Sequence, residues 1–301
     1  MFLMDSRHLL EPANKAYESA LETYVLEAFW QDLADGDIST RYFVDRPKAK
    51  IRARIVAKES GILAGMQEAE WLLKKLKIDI LDFTRDGKLL QKGDVILILE
   101  GEARAILAAE RTLLNLLQRM SGVATKTRRM RVKLLPGIEL LATRKTLWGL
   151  LDKRAVVVGG GCTHRLNLSD AILIKENHLA LAKNFEKALK ASLKKRHKGS
   201  FFEIELESPE QVQDFLTAYE PLKKKLRIEG GVAVMLDNFS PSAIRKALPA
   251  LQELGVIVEA SGGITEGNIA RYNIQGLSAV SAGALTTKAP NLDMSLEIEA
   301  S

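Results

Sequence analysis

Apolar and polar residues follow two different rhythms along this chain, and the change falls near Leu135-Pro136-Gly137. Before it the pattern is mixed. Residues 14–34 carry Ala20, Leu21, Tyr24, Val25, Ala28 and Phe29 at helical spacing, which predicts a helix. From 49 to 64, charged and aliphatic residues alternate (Ile51, Arg52, Ala53, Arg54, Ile55), which predicts a strand pair. A short helix is expected over 67–77, then turn, strand and turn over 87–101. A long helical pattern runs from Ala103 to about Val132. Its weak point is Ser121-Gly122, where glycine costs about 1 kcal/mol relative to alanine; a close helix contact would account for it.

After residue 135, short apolar runs alternate with helical stretches. The runs are 138–143, 171–175, 201–205, 232–237, 256–261 and 277–283, with a weaker candidate strand at 155–158 (AVVV). Apolar runs without alternation fit strands buried on both faces, as in a parallel sheet, and the helices between are long enough for crossovers. Six or seven such units predict an open, barrel-like, TIM-related parallel α/β domain rather than a full set of eight.

Bulk properties narrow the class. The 301 residues are 47% hydrophobic and 27% charged, an ordinary globular balance. No apolar run approaches the roughly 20 residues of a membrane span, and no secretion signal is seen at the start. Cys162 is the single cysteine, so no intrachain disulfide can form, which suits a cytoplasmic location. The net charge of +6 fits either nucleic acid or small anionic substrates. The densest basic run, 190–198 (KASLKKRHK), has no interleaved aromatic residue and reads as the solvated end of a helix, so neither nucleic acid nor membrane is expected as a partner.

The residues that end the strands carry the chemistry, because a parallel barrel places its reactive groups there. Arg144, Lys145, Arg165 and Lys175, with His164 nearby, would form an anion-binding rim. Glu205 and Asp237 end successive strands; they could hold ribose hydroxyls, carry Mg²⁺ or act as acid and base, and spacing alone does not choose. Ser261-Gly262-Gly263 and Ala282-Gly283-Ala284 end the last two strong strands, where small residues let amides approach a phosphate. Gly159-Gly160-Gly161 reads as a mobile loop presenting His164 and Arg165. Cys162 reads as a structural thiol and His178 as a packing residue.

In order along the chain stand Asp35-Gly36-Asp37-Ile38-Ser39-Thr40, Glu110-Arg111, Ser121-Gly122, Thr143-Arg144-Lys145-Thr146, His164-Arg165, Ile174-Lys175-Glu176-Asn177-His178, Glu203-Ile204-Glu205, Leu236-Asp237-Asn238, Ser261-Gly262-Gly263 and Gly283-Ala284-Leu285-Thr286. This series resembles the quinolinate phosphoribosyltransferase family over nearly the whole chain. The resemblance implies an N-terminal α/β sandwich domain at 1–134, with the tail 286–301 free to pack back onto it, and a barrel-like catalytic domain at 135–285. It implies transfer of phosphoribosyl from phosphoribosyl pyrophosphate to quinolinate with loss of CO₂, giving nicotinate mononucleotide and pyrophosphate, with Mg²⁺ as cofactor.

The same resemblance implies a homodimer with shared active sites, in which Arg111 reaches the neighbour's site. Arg111, Arg144, His164, Arg165 and Lys175 would surround the quinolinate carboxylates, with Lys145 and also Lys175 facing pyrophosphate and Thr143 among the substrate-binding residues. Lys145, Lys175, Glu205 and Asp237 would be catalytic, and Glu205 and Asp237 would hold the metal. Ser261, Gly262, Gly263, Ser281, Ala282, Gly283 and Ala284 would seat the 5-phosphate. The chain departs from the family pattern at Leu147-Trp148-Gly149, at Thr287 and at Cys162-Thr163, which leaves another pyridine acid or a molybdate-linked role open. Two further readings are a Schiff-base aldolase using Lys175 and a carrier-type binding module around 87–101.

Overall fold

Each rhythm folds into a sheet of its own kind. The structure, a computed structural model, describes residues 3–195 and 201–299; the last three residues of the basic run 190–198 lie outside them. The chain separates into two compact units. One takes the described residues up to Ser6 with Arg129–Lys145 and Gly161–Ala284. The other takes Arg7–Arg128, Thr146–Gly160 and the described residues from Leu285 onward.

The second of these units is built on an antiparallel sheet. Its strands are β1 (Lys50–Ala57), β3 (Asp79–Phe83), β5 (Val95–Glu102) and β12 (Met294–Ile298), in the order β12-β1-β5-β3. A small pair, β2 (Gly61–Ile62) with β4 (Leu89–Leu90), stands apart from it. The alternation in β1 buries Ala53 and Ile55 and leaves the arginines to cross-strand partners. Arg52 reaches Glu100 of β5 at 3.0 Å and Arg54 reaches Glu297 of β12 at 3.0 Å, the opposite-charge pairing that stabilises a sheet face.

The strand pair expected over 49–64 does not form between its own halves. β1 pairs with β5 and β12, whereas β2 pairs with β4. The reason lies at Gly61: a Cβ there would come 2.4 Å from Leu292 Cδ1 and 2.7 Å from Thr125 Oγ1. The backbone of this segment is drawn onto the long helix Ala103–Arg131, where Thr125 Oγ1 accepts the Ile62 amide at 2.8 Å and Ser121 Oγ accepts the Ala64 amide at 3.0 Å. The neighbouring Gly122 is the expected close contact, for a Cβ there would stand 1.9 Å from the Pro290 carbonyl oxygen.

Helix prediction succeeds over 14–34, where Asn14 caps a run that includes one π-helical turn, Glu22–Leu26. It is corrected at 155–158. AVVV ends a helix, Gly149–Val158, rather than forming a strand, because four apolar residues carry no usable period and the preceding Leu-Leu-Asp-Lys-Arg favours helix. Gly159 then closes that helix as its cap, with a would-be Cβ 2.4 Å from the Ala124 carbonyl oxygen.

The other unit is built on a parallel sheet. Its strands are β6 (Glu139–Leu141), β7 (Ile172–Ile174), β8 (Phe202–Leu206), β9 (Val232–Asp237), β10 (Ile257–Ser261) and β11 (Ala279–Ser281), in the order β6-β11-β10-β9-β8-β7. Parallel bridges Leu141↔Cys162 and Asp5↔His164 extend it beyond β6. Among the described residues no ladder joins that end to β7, so the barrel is open. Register places Glu205, Met235, Glu259 and Ala279 side by side, and Asp237 beside Ser261. Because a strand's side chains alternate faces, Glu203 shares the face of Glu205. An apolar cluster of Met4, Leu141, Cys162, Ala171, Phe201, Ala233 and Ala279 fills this unit's core.

Candidate active site

A cavity of about 410 Å³ opens where the parallel strands end. The sequence-predicted Thr143, Arg144 and Lys145 enter it after β6, and Lys175 enters it after β7. Glu205, Asp237, Ser261 and Ser281 enter from β8, β9, β10 and β11 in turn, and His164 and Arg165 from the segment beyond β6. Four cations (Arg144, Lys145, Arg165, Lys175) thus face two carboxylates (Glu205, Asp237), leaving two positive charges in excess. That is the balance for a doubly negative guest.

The two acids are held differently. Glu205 is 5% exposed, and its Oε2 lies 2.5 Å from Lys175 Nζ. Burial pushes its carboxyl up, the Lys175 hydrogen bond and charge pull it down, and nearby Asp237 pushes it up again, for a net rise. Asp237 accepts the Asn238 side-chain amide at 2.6 Å. Asn238 adopts φ +59° and donates its backbone N–H to Ser261 O at 2.9 Å. The carboxylate oxygens of Glu205, Asp237 and Glu207 lie within 4.8 Å of one another, an all-oxygen set of the kind a hard divalent cation takes. Glu207 escaped sequence reasoning because it lies past the strand end.

The glycine-rich ends support the cavity without all lining it. Gly262, Gly263, Ala282, Gly283 and Ala284 are not among its wall residues. Gly262, at φ +91°, lets Asn238 approach: a Cβ would fall 2.2 Å from Asn238 Oδ1. Gly283 packs on Lys145, whose Cδ would be 3.2 Å from an added Cβ. The walls also include Leu168, Leu173, His178 and Met235, which no strand-end rule would select. His178 does local work as well, accepting the Lys175 backbone N–H on Nδ1 at 2.9 Å to cap the helix Glu176–Leu181.

Arg111 stands elsewhere. It lies in the antiparallel unit, beside Tyr24, Asp32, Asn115 and Trp148 around a cavity of about 180 Å³. The departures Leu147 and Trp148 donate only their backbone amides, at 2.8 and 3.2 Å, to buried Asp152. The signature around Asp37 is a helix cap: Asp37 accepts the Thr40 amide at 3.0 Å and the Thr40 hydroxyl, which together lower its pKa.

His164 reaches the cavity wall, and its ring nitrogens face protein. Nδ1 accepts the Arg165 backbone N–H at 2.7 Å, while Nε2 lies 3.0 Å from Glu203 Oε2 and 3.5 Å from Glu259 Oε2. Both glutamates are 0% exposed. Burial opposes a charge on this ring and the two carboxylates favour one; the backbone decides, because an Nδ1 that accepts the Arg165 amide hydrogen has no proton of its own, which leaves the ring neutral with its proton on Nε2. The same assignment removes Nε2 as a metal ligand, although the three side chains lie close enough to suggest one. Burial, then Glu259, push the Glu203 carboxyl up.

Comparison with known proteins agrees with this geometry. The family models described as "Quinolinate phosphoribosyl transferase, N-terminal domain" and "C-terminal domain" match residues 37–121 and 123–297. A probable nicotinate-nucleotide pyrophosphorylase [carboxylating] of Methanothermobacter thermautotrophicus is 41% identical over 91% of this chain and 97% of its own. One from Bacillus subtilis is 36% identical over 90% of each. The solved nicotinate-nucleotide pyrophosphorylase from Francisella tularensis superposes with a TM-score of 0.82 at 31% identity, over 93% of this chain and 96% of that one. With both domain models matched in sequence order and the strand ends furnished as described, the chain belongs to the quinolinate phosphoribosyltransferase family.

Proposed function

We propose that this protein transfers the phosphoribosyl group of phosphoribosyl pyrophosphate to the ring nitrogen of quinolinate, giving nicotinate mononucleotide, pyrophosphate and CO₂ in NAD biosynthesis. The observation that carries the reading is the excess of two cations over acids in one strand-end cavity. Arg144, Arg165 and Lys175 would bind the two quinolinate carboxylates, with Thr143 beside them and Lys145 toward pyrophosphate. Ser261 and Ser281, with the amides of Gly262, Gly263, Ala282, Gly283 and Ala284, would seat the 5-phosphate.

The chemical task is to stabilise charge that moves. As pyrophosphate leaves, the ribose carbon turns cationic and the ring nitrogen attacks it; Glu205 and Asp237 offset that charge from the hydroxyl side. When the carboxylate next to the nitrogen departs as CO₂, its electron pair stays on the ring carbon and a proton from solvent replaces it. Glu205 and Asp237, with Glu207, would hold Mg²⁺, whose chemistry is to neutralise leaving pyrophosphate.

We also infer a homodimer in which Arg111 completes the neighbour's cavity. The exposed Ile38, Tyr42 and Phe43, the last 91% exposed, favour a covering surface. A cytoplasmic location fits the lone, buried Cys162; among the described residues no helix is long and apolar enough to cross a membrane. The ion pair of Lys175 with Glu205 disfavours a Schiff-base role, since a nucleophilic lysine must be uncharged. Incubating the purified protein with quinolinate, phosphoribosyl pyrophosphate and Mg²⁺ should yield nicotinate mononucleotide and CO₂. Product from nicotinate but not from quinolinate would overturn the substrate assignment.

A further inference from the structure

Two carboxylates lie wholly buried below the cavity without an evident structural need. Glu203 and Glu259 sit on β8 and β10 and are 0% exposed. Among the described residues neither their oxygens nor His164 Nε2 makes a well-aligned hydrogen bond. Their contact is the Nε2 edge of His164, at 3.0 and 3.5 Å. A buried charged group of this kind costs stability, and apolar residues of equal volume commonly replace such groups at no loss.

What the pair faces is a left-handed turn of backbone. His164 is a non-glycine residue at φ +53°, an uncommon conformation that histidine enters more readily than most side chains. Its Nδ1 closes on the next amide, that of Arg165, at 2.7 Å. Thr163 fixes the other side: its hydroxyl donates to the His164 carbonyl at 2.8 Å and accepts the Ser6 amide at 2.8 Å. Phe201 packs edge-on against the imidazole at 5.4 Å. The side chain that leaves this locked peptide is Arg165, which is 7% exposed and faces the cavity.

We propose that Glu203 and Glu259 are positioning residues that act through His164: their charge against its Nε2 edge keeps Nδ1 on the Arg165 amide, and so aims the Arg165 guanidinium at the substrate carboxylates. The proposal rests on the phosphoribosyltransferase reading. Glu259 separates the indirect action from a direct one. Glu259 meets this segment at the Nε2 edge of His164, 3.5 Å away, whereas Glu203 also acts on the charge of Arg165 directly. The influence of Glu259 on Arg165 therefore runs through the imidazole.

The test is Glu259→Met, compared with Glu259→Gln and with each change in an Arg165→Ala background. A misplacement of about 1 Å at a binding group costs up to about 10²-fold. Glu259→Met is expected to raise the quinolinate KM about tenfold, to leave the phosphoribosyl pyrophosphate KM within about twofold, and to keep Tm or raise it. Glu259→Gln, which keeps a partly negative oxygen beside Nε2, should restore most of the loss. In the Arg165→Ala background the effect of Glu259→Met should vanish. An unchanged quinolinate KM, a full effect without Arg165, or a lowered Tm with both KM values raised together would each overturn the proposal. Should the wild-type protein fail to use quinolinate, the functional reading falls separately. Crystal structures of wild type and Glu259→Met then decide: a displaced Arg165 guanidinium supports the positioning role, and an unmoved one ends it.

Discussion

Lys175 Nζ stands 2.5 Å from Glu205 Oε2, joining the ends of two adjacent parallel strands. The pair is a store of opposite charge at the mouth of the cavity. Lys175 is 41% exposed on its side chain and Glu205 only 6%, so the lysine is the partner free to turn toward substrate. Removing it strands a buried acid. Lys175→Met should lower kcat/KM by about 10² to 10³, the cost of deleting one charged donor aimed at the transition state. Glu205→Gln should do comparable harm by loosening ribose and metal binding. Steady-state kinetics with each substrate varied in turn would check both. A Lys175→Met enzyme within threefold of wild type would exclude Lys175 from the reaction.

The glycine pair after β10 offers a contrast between contact and strain. Gly262 has φ +91°, and an added Cβ would fall 2.2 Å from Asn238 Oδ1 and 2.6 Å from Asn238 N. Gly263 has φ +60° with no atom within 4 Å of its would-be Cβ. Gly262→Ala should therefore push Asn238 away, disturb its neighbour Asp237, and raise the phosphoribosyl pyrophosphate KM about tenfold or more. Gly263→Ala meets only the left-handed penalty of about 1 kcal/mol and should keep most activity. Equal KM values for the two variants would show that the close approach to Asn238 is not what Gly262 provides.

Most of the parallel unit was legible in the sequence, because buried parallel strands read as uninterrupted apolar runs and their polar ends stand out. Arg144, Lys145, Lys175, Glu205 and Asp237 all meet in one cavity for that reason. Glu259 was not found, since it sits inside an apolar strand where no spacing rule marks a buried acid as important. His178 and Met235 were missed because a side chain's reach into a cavity depends on neighbouring strands. The antiparallel unit was less readable. β1 and β2 alternate well enough to look like partners, yet Gly61 commits β2 to the long helix. AVVV 155–158 failed for the opposite reason: composition alone suggested a strand, and helical context won.

Asp152 should prove the costliest buried residue in the antiparallel unit. It is 0% exposed, receives Arg119 through two hydrogen bonds at 3.0 and 2.8 Å, and also accepts the amides of Leu147 and Trp148. Arg119 in turn donates to the Thr286 carbonyl at 2.8 Å. Asp152→Ala leaves a buried guanidinium without its counter-charge, a change worth about 3–5 kcal/mol. Calorimetry should show Tm lower by roughly 10 °C. A drop of only one or two degrees would mean that water takes over the Arg119 fork.

Mixed oligomers test the inferred shared site. Arg111 lies by Asp32 and Trp148 in the antiparallel unit. Arg111→Ala and Lys175→Met should each be inactive alone. If Arg111 serves the partner's cavity, subunits mixed and re-assembled should regain roughly a quarter of wild-type activity, because in half the dimers one of the two cavities has both residues intact. Sedimentation run alongside would verify the dimer. No recovery in a confirmed dimer would keep Arg111 within its own chain's site or outside catalysis.

A pH dependence follows from the buried cluster around Glu68. This residue is 0% exposed and accepts the Tyr17 hydroxyl at 2.6 Å, with Arg154 Nε 3.9 Å away. Burial, then the charge of Asp86, push its carboxyl up from 4.5 to about 7, against the opposing pull of Tyr17 and Arg154. A raised carboxyl binds its proton more tightly in the folded state. Its stabilising contribution is therefore complete below pH 4.5 and is lost as pH rises toward 7. Above that, the wild-type protein carries an ionised buried acid at a cost on the order of 3 kcal/mol. Glu68→Gln keeps an acceptor for Tyr17 and does not titrate. Its stability relative to wild type should climb between pH 5 and pH 8 and then level off, as read from urea unfolding at each pH. A stability difference that stays flat across that window would mean Glu68 is ionised throughout, with Arg154 as an effective counter-charge.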